Sequence, residues 1–405
     1  MDLRNISDGM TPNERCDERL RQIEDELGVD LSLLQTNDEK IGAAEEKNCE
    51  QMFGSVPLPV GYAGPLTFTC SSGEKTTVHL PLSTTEGALV ASVNRGCKVL
   101  SSTNVHTSVI HHGMSRSIAF EVPQGSKNSE KSDGKTGEKG SDGVRAFTQE
   151  IEAKQADWYK IAENTSSHLR IMRSDIDAQD SYVFLTLSCD TDEAMGMNMV
   201  TIAAQAVGNW IVENLKEHSP TLVTVAGNVD SDKKPSKRTH EKGRGYEVTA
   251  EALLPSDLIS SALKTSAEEM ARVADAKLNI GSKLAGAIGA NLHAANVIAA
   301  LYLATGQDAA HTVEGSLADT KVELKGDDLK ISVRLPAILV GVRGGGTALP
   351  AQNQCLQMLL KEKTSLHPCA QLAESIGAAV LAGEVSLLAA QANQTLAKAH
   401  RELGR

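Results

Sequence analysis

From Leu329 to Leu360 the chain reads LKISVRLPAILVGV, then RGGGT, then ALPAQNQCLQMLL. The front is strand-like and the end is helix-like, and between them Gly344, Gly345 and Gly346 precede Thr347, so the backbone must turn where no side chain obstructs it. Strand, glycine turn and helix together are the geometry of a phosphate or cofactor cradle. Yet no Gly-x-Gly-x-x-Gly occurs anywhere in the sequence. Any dinucleotide is therefore held in a non-Rossmann manner.

Length and charge narrow the rest. The 405 residues predict two domains, or one large domain with an insertion. With 40% apolar and only 3% aromatic residues, the core must be built mainly from Ala, Val, Leu and Ile. Single-stranded nucleic acid, which usually needs aromatic platforms, is a poor fit. A formal charge of −12 repels polyphosphates in general, so a phosphate-bearing ligand must meet local cations. Ser231-Asp232-Lys233-Lys234-Pro235 is one such place. The seven cysteines are scattered, odd in number and without a Cys-x-x-Cys pair, which points to a reduced compartment and no structural zinc. The N-terminus lacks an apolar signal core, and no run of roughly 18 uncharged apolar residues is present. The expectation is a soluble, cytoplasmic protein.

Along the chain, the first forty or so residues are charged and loosely helical, with Leu20, Ile23 and Leu27 at helical spacing, as in a packing or oligomerisation arm. The Gly- and Pro-rich run Phe53 to Pro65 predicts an irregular connector. The polar segment from Gln124 to Gly143 predicts a mobile surface loop. Its Gly134-Lys135-Thr136 is not a phosphate loop, because Ser129 stands where that motif needs glycine. A helix is expected to begin near Glu193, capped by Asp190 or Asp192, with Met199, Ile202, Ala203, Ala206, Trp210 and Ile211 on one face. Its first turn, Met195-Gly196-Met197-Asn198, reads either as an anion site at free backbone N–H groups or as methionine core filler.

Three further stretches carry ionisable groups with partners. STTEGALVASVNRGC puts Glu86 at the head of a helix, with Ser92 and Arg95 three residues apart on one of its faces. LYLATGQDAAHTVEG puts Asp308 at a glycine break directly after an apolar helix, HAANVIAALYLA. The last helix, from SIGAAVLAGEV onward, brings His400 close to the C-terminus. Each residue alone also reads as purely structural: a first-turn charge, a cap and a solvated tail residue.

As a set, TTEGALVAS, DEAMGMN, SDKKP, GQDAA, GGGT and the late AKAH resemble the signatures of the 3-hydroxy-3-methylglutaryl-coenzyme A reductase family, most closely the soluble archaeal type of class I. The resemblance covers nearly everything from Cys49 to Arg405. It implies an α+β fold in which a large acyl-CoA domain (46–117 and 237–405) is interrupted by a small ferredoxin-like NADPH domain (118–224). A catalytic loop (225–236) and a helical N-terminal arm (1–45) complete it. It further implies a homodimer or a dimer of dimers with active sites at the subunit interface, and no nucleic-acid or membrane partner.

The implied activity is four-electron reduction of (S)-3-hydroxy-3-methylglutaryl-CoA to (R)-mevalonate and CoA by two NADPH, in isoprenoid biosynthesis. By position, the resemblance makes Glu86, Lys233, Asp308 and His400 catalytic. Lys233 would stabilise the oxyanion, Asp308 would keep Glu86 protonated and Lys233 charged, and His400 would protonate the departing thiolate. Ser92, Arg95, Asp232, Lys234, Lys277 and Asn291 match substrate contacts. Arg116, Glu193, Met195, Gly196, Met197, Asn198, the Gly344 to Gly346 turn and Arg405 match the cofactor side. The chain departs from the family at Glu193, usually Asp, at Val342 and Arg343 before the glycine turn, and at Thr239, usually Asn. Two rival readings remain: an NADH-linked, degradative class II-like reductase, and a non-catalytic CoA-binding relative.

Overall fold

The computed structural model describes residues 9–123 and 142–394, together with Leu3 and Ile6. It divides into two compact units: Met1–Val109 with Val248–Leu335 and Val340–Arg405, and Ile110–Glu247 with Pro336–Leu339. The fold is α+β, and its strand pairing is mixed.

In the first unit the strands Val60–Thr69 and Lys75–Ser83 form an antiparallel hairpin, with Tyr62 opposite Pro81. Thr69 then pairs in parallel with His106, where the strand His106–Glu121 begins. A second hairpin joins Asp319–Lys325 to Asp328–Ile338 through Gly326 and Asp327. The expected irregular connector is therefore only partly irregular. Phe53 to Pro59 has no regular structure, but Val60 onward is strand, and a register shift between Ala63 and Leu66 absorbs Gly64 and Pro65.

The helix Pro368–Ala392 runs through the core of this unit. Pro368 opens it at a position that needs no backbone donor, and the Asn393 side chain closes it on the Leu263 carbonyl (3.1 Å). It is long and apolar enough in composition to cross a bilayer, but 94% of that apolar window is buried inside the protein. Its two wholly buried carboxylates are satisfied. Glu384 accepts the N–H groups of Leu292 and His293 (both 2.8 Å) and the Thr320 hydroxyl (2.6 Å), and Glu374 accepts from Ser71 and Thr107.

The N-terminal helix Pro12–Leu27 starts with a reciprocal Thr11–Glu14 capping box and stops at Gly28, whose φ is +64°. Of its expected apolar face only Leu20 is buried, and Leu27 is 62% exposed. Charged groups do much of the docking. Buried Arg19 reaches the Met52 carbonyl (3.0 Å) and Glu45 (2.9 Å), and Arg15 pairs with Glu45 at 2.6 Å.

The second unit has a four-stranded antiparallel sheet ordered Thr221–Thr224, His106–Glu121, Tyr182–Asp190, Arg170–Gln179. Between the strands the chain forms the helices Asp142–Ala153, Gln155–Glu163 and Met197–Asn214. Phe120, Phe147, Trp158, Leu185 and Val207 meet in its core. Trp158 keeps its indole N–H bonded to the Ile151 carbonyl (2.9 Å). Residues 124–141 of the expected surface loop lie outside the described residues.

Candidate active site

The glycine turn and Asp308 come together in the first unit. The helix Ala294–Thr305 ends at Gly306, with φ +70°, and a Cβ there would stand 2.2 Å from the Gly346 carbonyl oxygen. Only glycine permits that approach. The next residue, Gln307, fixes the joint: its Nε2 donates to the Gly341 carbonyl and its Oε1 accepts the Gly341 N–H, both at 3.0 Å. Gly344 and Gly345 have φ of +78° and +54°, and the Thr347 hydroxyl closes the turn on the Gly344 carbonyl (2.7 Å). Asp308 is thus held beside the turn. Its Oδ1 accepts the Ala310 N–H (3.0 Å), capping the single 3₁₀ turn Ala309–His311, and its side chain is 34% exposed. A carboxylate fixed at one oxygen yet reachable from outside is suited to ordering a cation or exchanging a proton.

Glu86 stands elsewhere in the same unit, in a turn rather than in a helix. The Thr84 hydroxyl takes its N–H (3.0 Å) and Ala88 adopts φ +72°, so the helix opens only at Leu89. The Glu86 carboxylate accepts from Asn296 (3.2 Å) and lines a cleft of about 360 Å³ with Tyr62, Ala88, Val90, Ala91 and Asn94. Ser92 and Arg95 do share a face of Leu89–Leu100. Both reach Ser386, Ser92 through its hydroxyl (3.0 Å) and Arg95 through Nε to the hydroxyl (3.0 Å) and Nη2 to the carbonyl (2.6 Å). Burial lowers the Arg95 pKa from its ordinary value. The Asn291 amide is fully engaged, donating to the Ser316 and Ala318 carbonyls (both 3.0 Å) and accepting from Ala294 N–H (3.1 Å). Lys277 lies half-buried in the π-helical stretch Asp275–Gly281.

In the second unit the expected cofactor helix begins at Met197, four residues later than the sequence predicts. The cause is local: the Thr191 hydroxyl donates to the Ala194 carbonyl (2.9 Å) and to that of Met195 (3.3 Å), holding Glu193, Ala194 and Met195 in a turn. Neither expected acid caps the helix. Asp190 accepts the Asp192 N–H (3.0 Å), Asp192 pairs with His168 (2.8 Å), and Gly196 takes the cap position with φ +81°. A Cβ at Gly196 would lie 2.3 Å from the Thr191 side chain. Asn198 is exposed in the first turn and Met197 is buried.

The SDKKP loop rests on an arginine clamp. Asp232 places Oδ2 3.2 Å from Arg116 and Oδ1 3.0 Å from Arg244, while Arg116 is 3.5 Å from Asp230 and also donates to Thr201 (3.0 Å). Arg244, only 2% exposed, donates in addition to the Ser115 hydroxyl (3.0 Å). Burial raises the Asp230 pKa, and the two guanidinium groups pull against that rise. On this base the chain turns through Ser231 and Lys233, with φ of +58° and +57°, and Lys233 and Lys234 are exposed. Lys234 Nζ donates to the Asp232 carbonyl (3.0 Å).

His400 and Arg405 lie outside the described residues. Four residues that the sequence reading passed over belong to these sites: Gln307, His311, Glu314 and Arg244. A histidine and a glutamate at three-residue steps after Asp308 were a legible signal. Arg244, alone among glycines, carried none.

A family model described as hydroxymethylglutaryl-coenzyme A reductase matches residues 15–405. The chain belongs to the hydroxymethylglutaryl-coenzyme A reductase family. The 3-hydroxy-3-methylglutaryl-coenzyme A reductase of Methanocaldococcus jannaschii is 39% identical over 405 residues, covering 96% of this chain and 92% of its own. That of Haloferax volcanii is 39% identical over 369 residues, covering 89% and 86%. Among solved structures, the class II enzyme of this family from Streptococcus pneumoniae, bound to NADPH, matches with a TM-score of 0.65 at 18% identity, covering 93% of this chain and 96% of its own. This chain therefore shares the fold of the reductase family.

Proposed function

We propose that the protein reduces (S)-3-hydroxy-3-methylglutaryl-CoA to (R)-mevalonate and CoA, using two NADPH. The observation that carries this reading is the joint at Gly306 and Gln307, which sets an accessible carboxylate, Asp308, against an open glycine turn. Family membership supplies the reaction for that arrangement.

The second unit is read as a ferredoxin-like cofactor domain. Its strand order, with helices after the first and third strands in chain order, supports this reading. The N-terminus of Met197–Asn214, opened by Gly196, offers backbone donors of the kind a phosphate needs, and exposed Asn198 adds an amide. These residues fit NADPH. When bound, NADPH supplies hydride to the carbonyl carbon. The Lys233 ammonium holds the negative charge that develops on the carbonyl oxygen, and Glu86 delivers the proton that oxygen needs at the aldehyde step. Asp308 would keep Glu86 protonated, and His400 would protonate the departing thiolate sulfur.

A homodimer is the proposed assembly. The exposed apolar run Phe53, Val56, Leu58, Val60 and Tyr62 in the first unit supports a partner surface. All seven cysteines are free, which supports a reducing, cytoplasmic setting. The test is the near-ultraviolet band of the reduced nicotinamide, followed with each cofactor as substrate is added. Oxidation of NADPH in preference to NADH, with Asn198→Ala weakening NADPH more than NADH, is expected. No oxidation of either overturns the activity, and a preference for NADH overturns the cofactor assignment.

A further inference from the structure

Directly behind Asp308 lies a row of ionisable side chains with no assigned role. His311 is wholly buried, its Nδ1 is 3.3 Å from Glu314 Oε1, and its Nε2 is 3.8 Å from Asp308 Oδ2. Glu314 is wholly buried as well. The row follows from local geometry. Ala309–His311 is a 3₁₀ turn that runs into the short helix Thr312–Gly315, and three-residue spacing in such turns stacks side chains on one side. Asp308, His311 and Glu314 are successive members of that stack.

We propose that His311 is a positioning residue for the reduction, held by Glu314 and setting the direction of the Asp308 carboxylate. The inference rests on the reading of Asp308 as a catalytic group. With Nδ1–H donating to Glu314, the ring orientation is fixed and Nε2 faces Asp308. Asp308 then has Oδ1 held by the Ala310 N–H, while Oδ2 faces the fixed edge of the ring at 3.8 Å, which limits the rotamers open to the carboxylate. Space-filling does not explain the row. An apolar pair would fill the same volume without the desolvation cost of a buried imidazole and a buried carboxylate. Nor does hydrogen-bond satisfaction explain it, because His311 Nε2 has no hydrogen-bond partner among the described residues. What the nitrogen gains is its place 3.8 Å from Asp308.

The experiment compares His311→Leu, His311→Gln, Glu314→Gln and Asp308→Asn with the wild type in full-length protein, by steady-state kinetics and thermal melting. Loss of alignment at a reacting group costs up to about 10²-fold. His311→Leu is expected to lower kcat by about that factor, with KM for both substrates within about twofold. His311→Gln, which restores an N–H donor, is expected to recover most of the loss. A loss of stability alone would not produce this split or this rescue. A folded His311→Leu enzyme with wild-type kcat overturns the proposal, as does a glutamine variant no better than leucine. If the leucine variant does not fold, Glu314→Gln decides: kcat about tenfold down at unchanged KM supports the row, and wild-type kcat overturns it. Asp308→Asn separates the two levels of the reading. If it is fully active, the catalytic role of Asp308 fails. If it is inactive while His311→Leu is normal, only the positioning role fails.

Discussion

Replacing Gln307 with leucine removes one side chain of similar size and two buried hydrogen bonds. In the wild type the amide matches both polar groups of Gly341, at 3.0 Å each, and Gln307 is 9% exposed. Leucine leaves the Gly341 N–H and C=O buried and unpaired, and each such group costs about 1–3 kcal/mol. The expected loss is therefore about 2–6 kcal/mol, set against a total stability that is typically about 5–15 kcal/mol. Urea unfolding followed by far-ultraviolet circular dichroism measures it. The midpoint should fall with the slope unchanged, because the surface exposed on unfolding is nearly the same. Activity should fall further than stability under native conditions, since Asp308 is the next residue and loses its anchor to the glycine turn. A midpoint shift worth less than about 1 kcal/mol, with normal kcat, would refute the claim that this amide pair builds the site.

Lys233→Ala should lower kcat by about 10²–10³-fold while substrate still binds, and near-normal turnover would remove Lys233 from the oxyanion role. Glu74 accepts hydrogen bonds from Ser365 and Ser72, which hold its carboxyl down at about 2 against an ordinary 4.5. The folded state thus binds that proton more weakly than the unfolded state, so the stabilisation is present above pH 4.5 and is lost as pH falls towards about 2. The stability gap between wild type and Glu74→Gln should close across that window, and a gap independent of pH would contradict the assignment. Burial pushes the Cys97 and Cys189 thiols up to about 12, so a thiol reagent at mild alkaline pH should label exposed Cys49 quickly and leave those two silent until unfolding.

The sequence was most informative where structure is set by neighbours in the chain. The strand, glycine turn and helix around Gly344 and the break at Asp308 follow from local pattern, and both are present. Ser92 and Arg95 share a helix face because three-residue spacing requires it. Expectation and structure part where a single side chain redirects the backbone. Thr191 holds a turn that delays the cofactor helix to Met197, and Thr84 with Ala88 keeps Glu86 outside its helix. Least legible were contacts between distant segments. Asp232 is set between arginines at 116 and 244, and Glu384 is satisfied by backbone about 90 residues away, at Leu292 and His293. No periodicity in the sequence encodes such pairings.

The central claim is a four-electron reduction, and its most direct test is stoichiometry. Purified protein is given limiting 3-hydroxy-3-methylglutaryl-CoA and excess NADPH, and the oxidised cofactor is counted against the CoA thiol released and the mevalonate formed. Two NADPH consumed for each CoA and each mevalonate is the expected result. One NADPH for each CoA, with free aldehyde as the product, would contradict it.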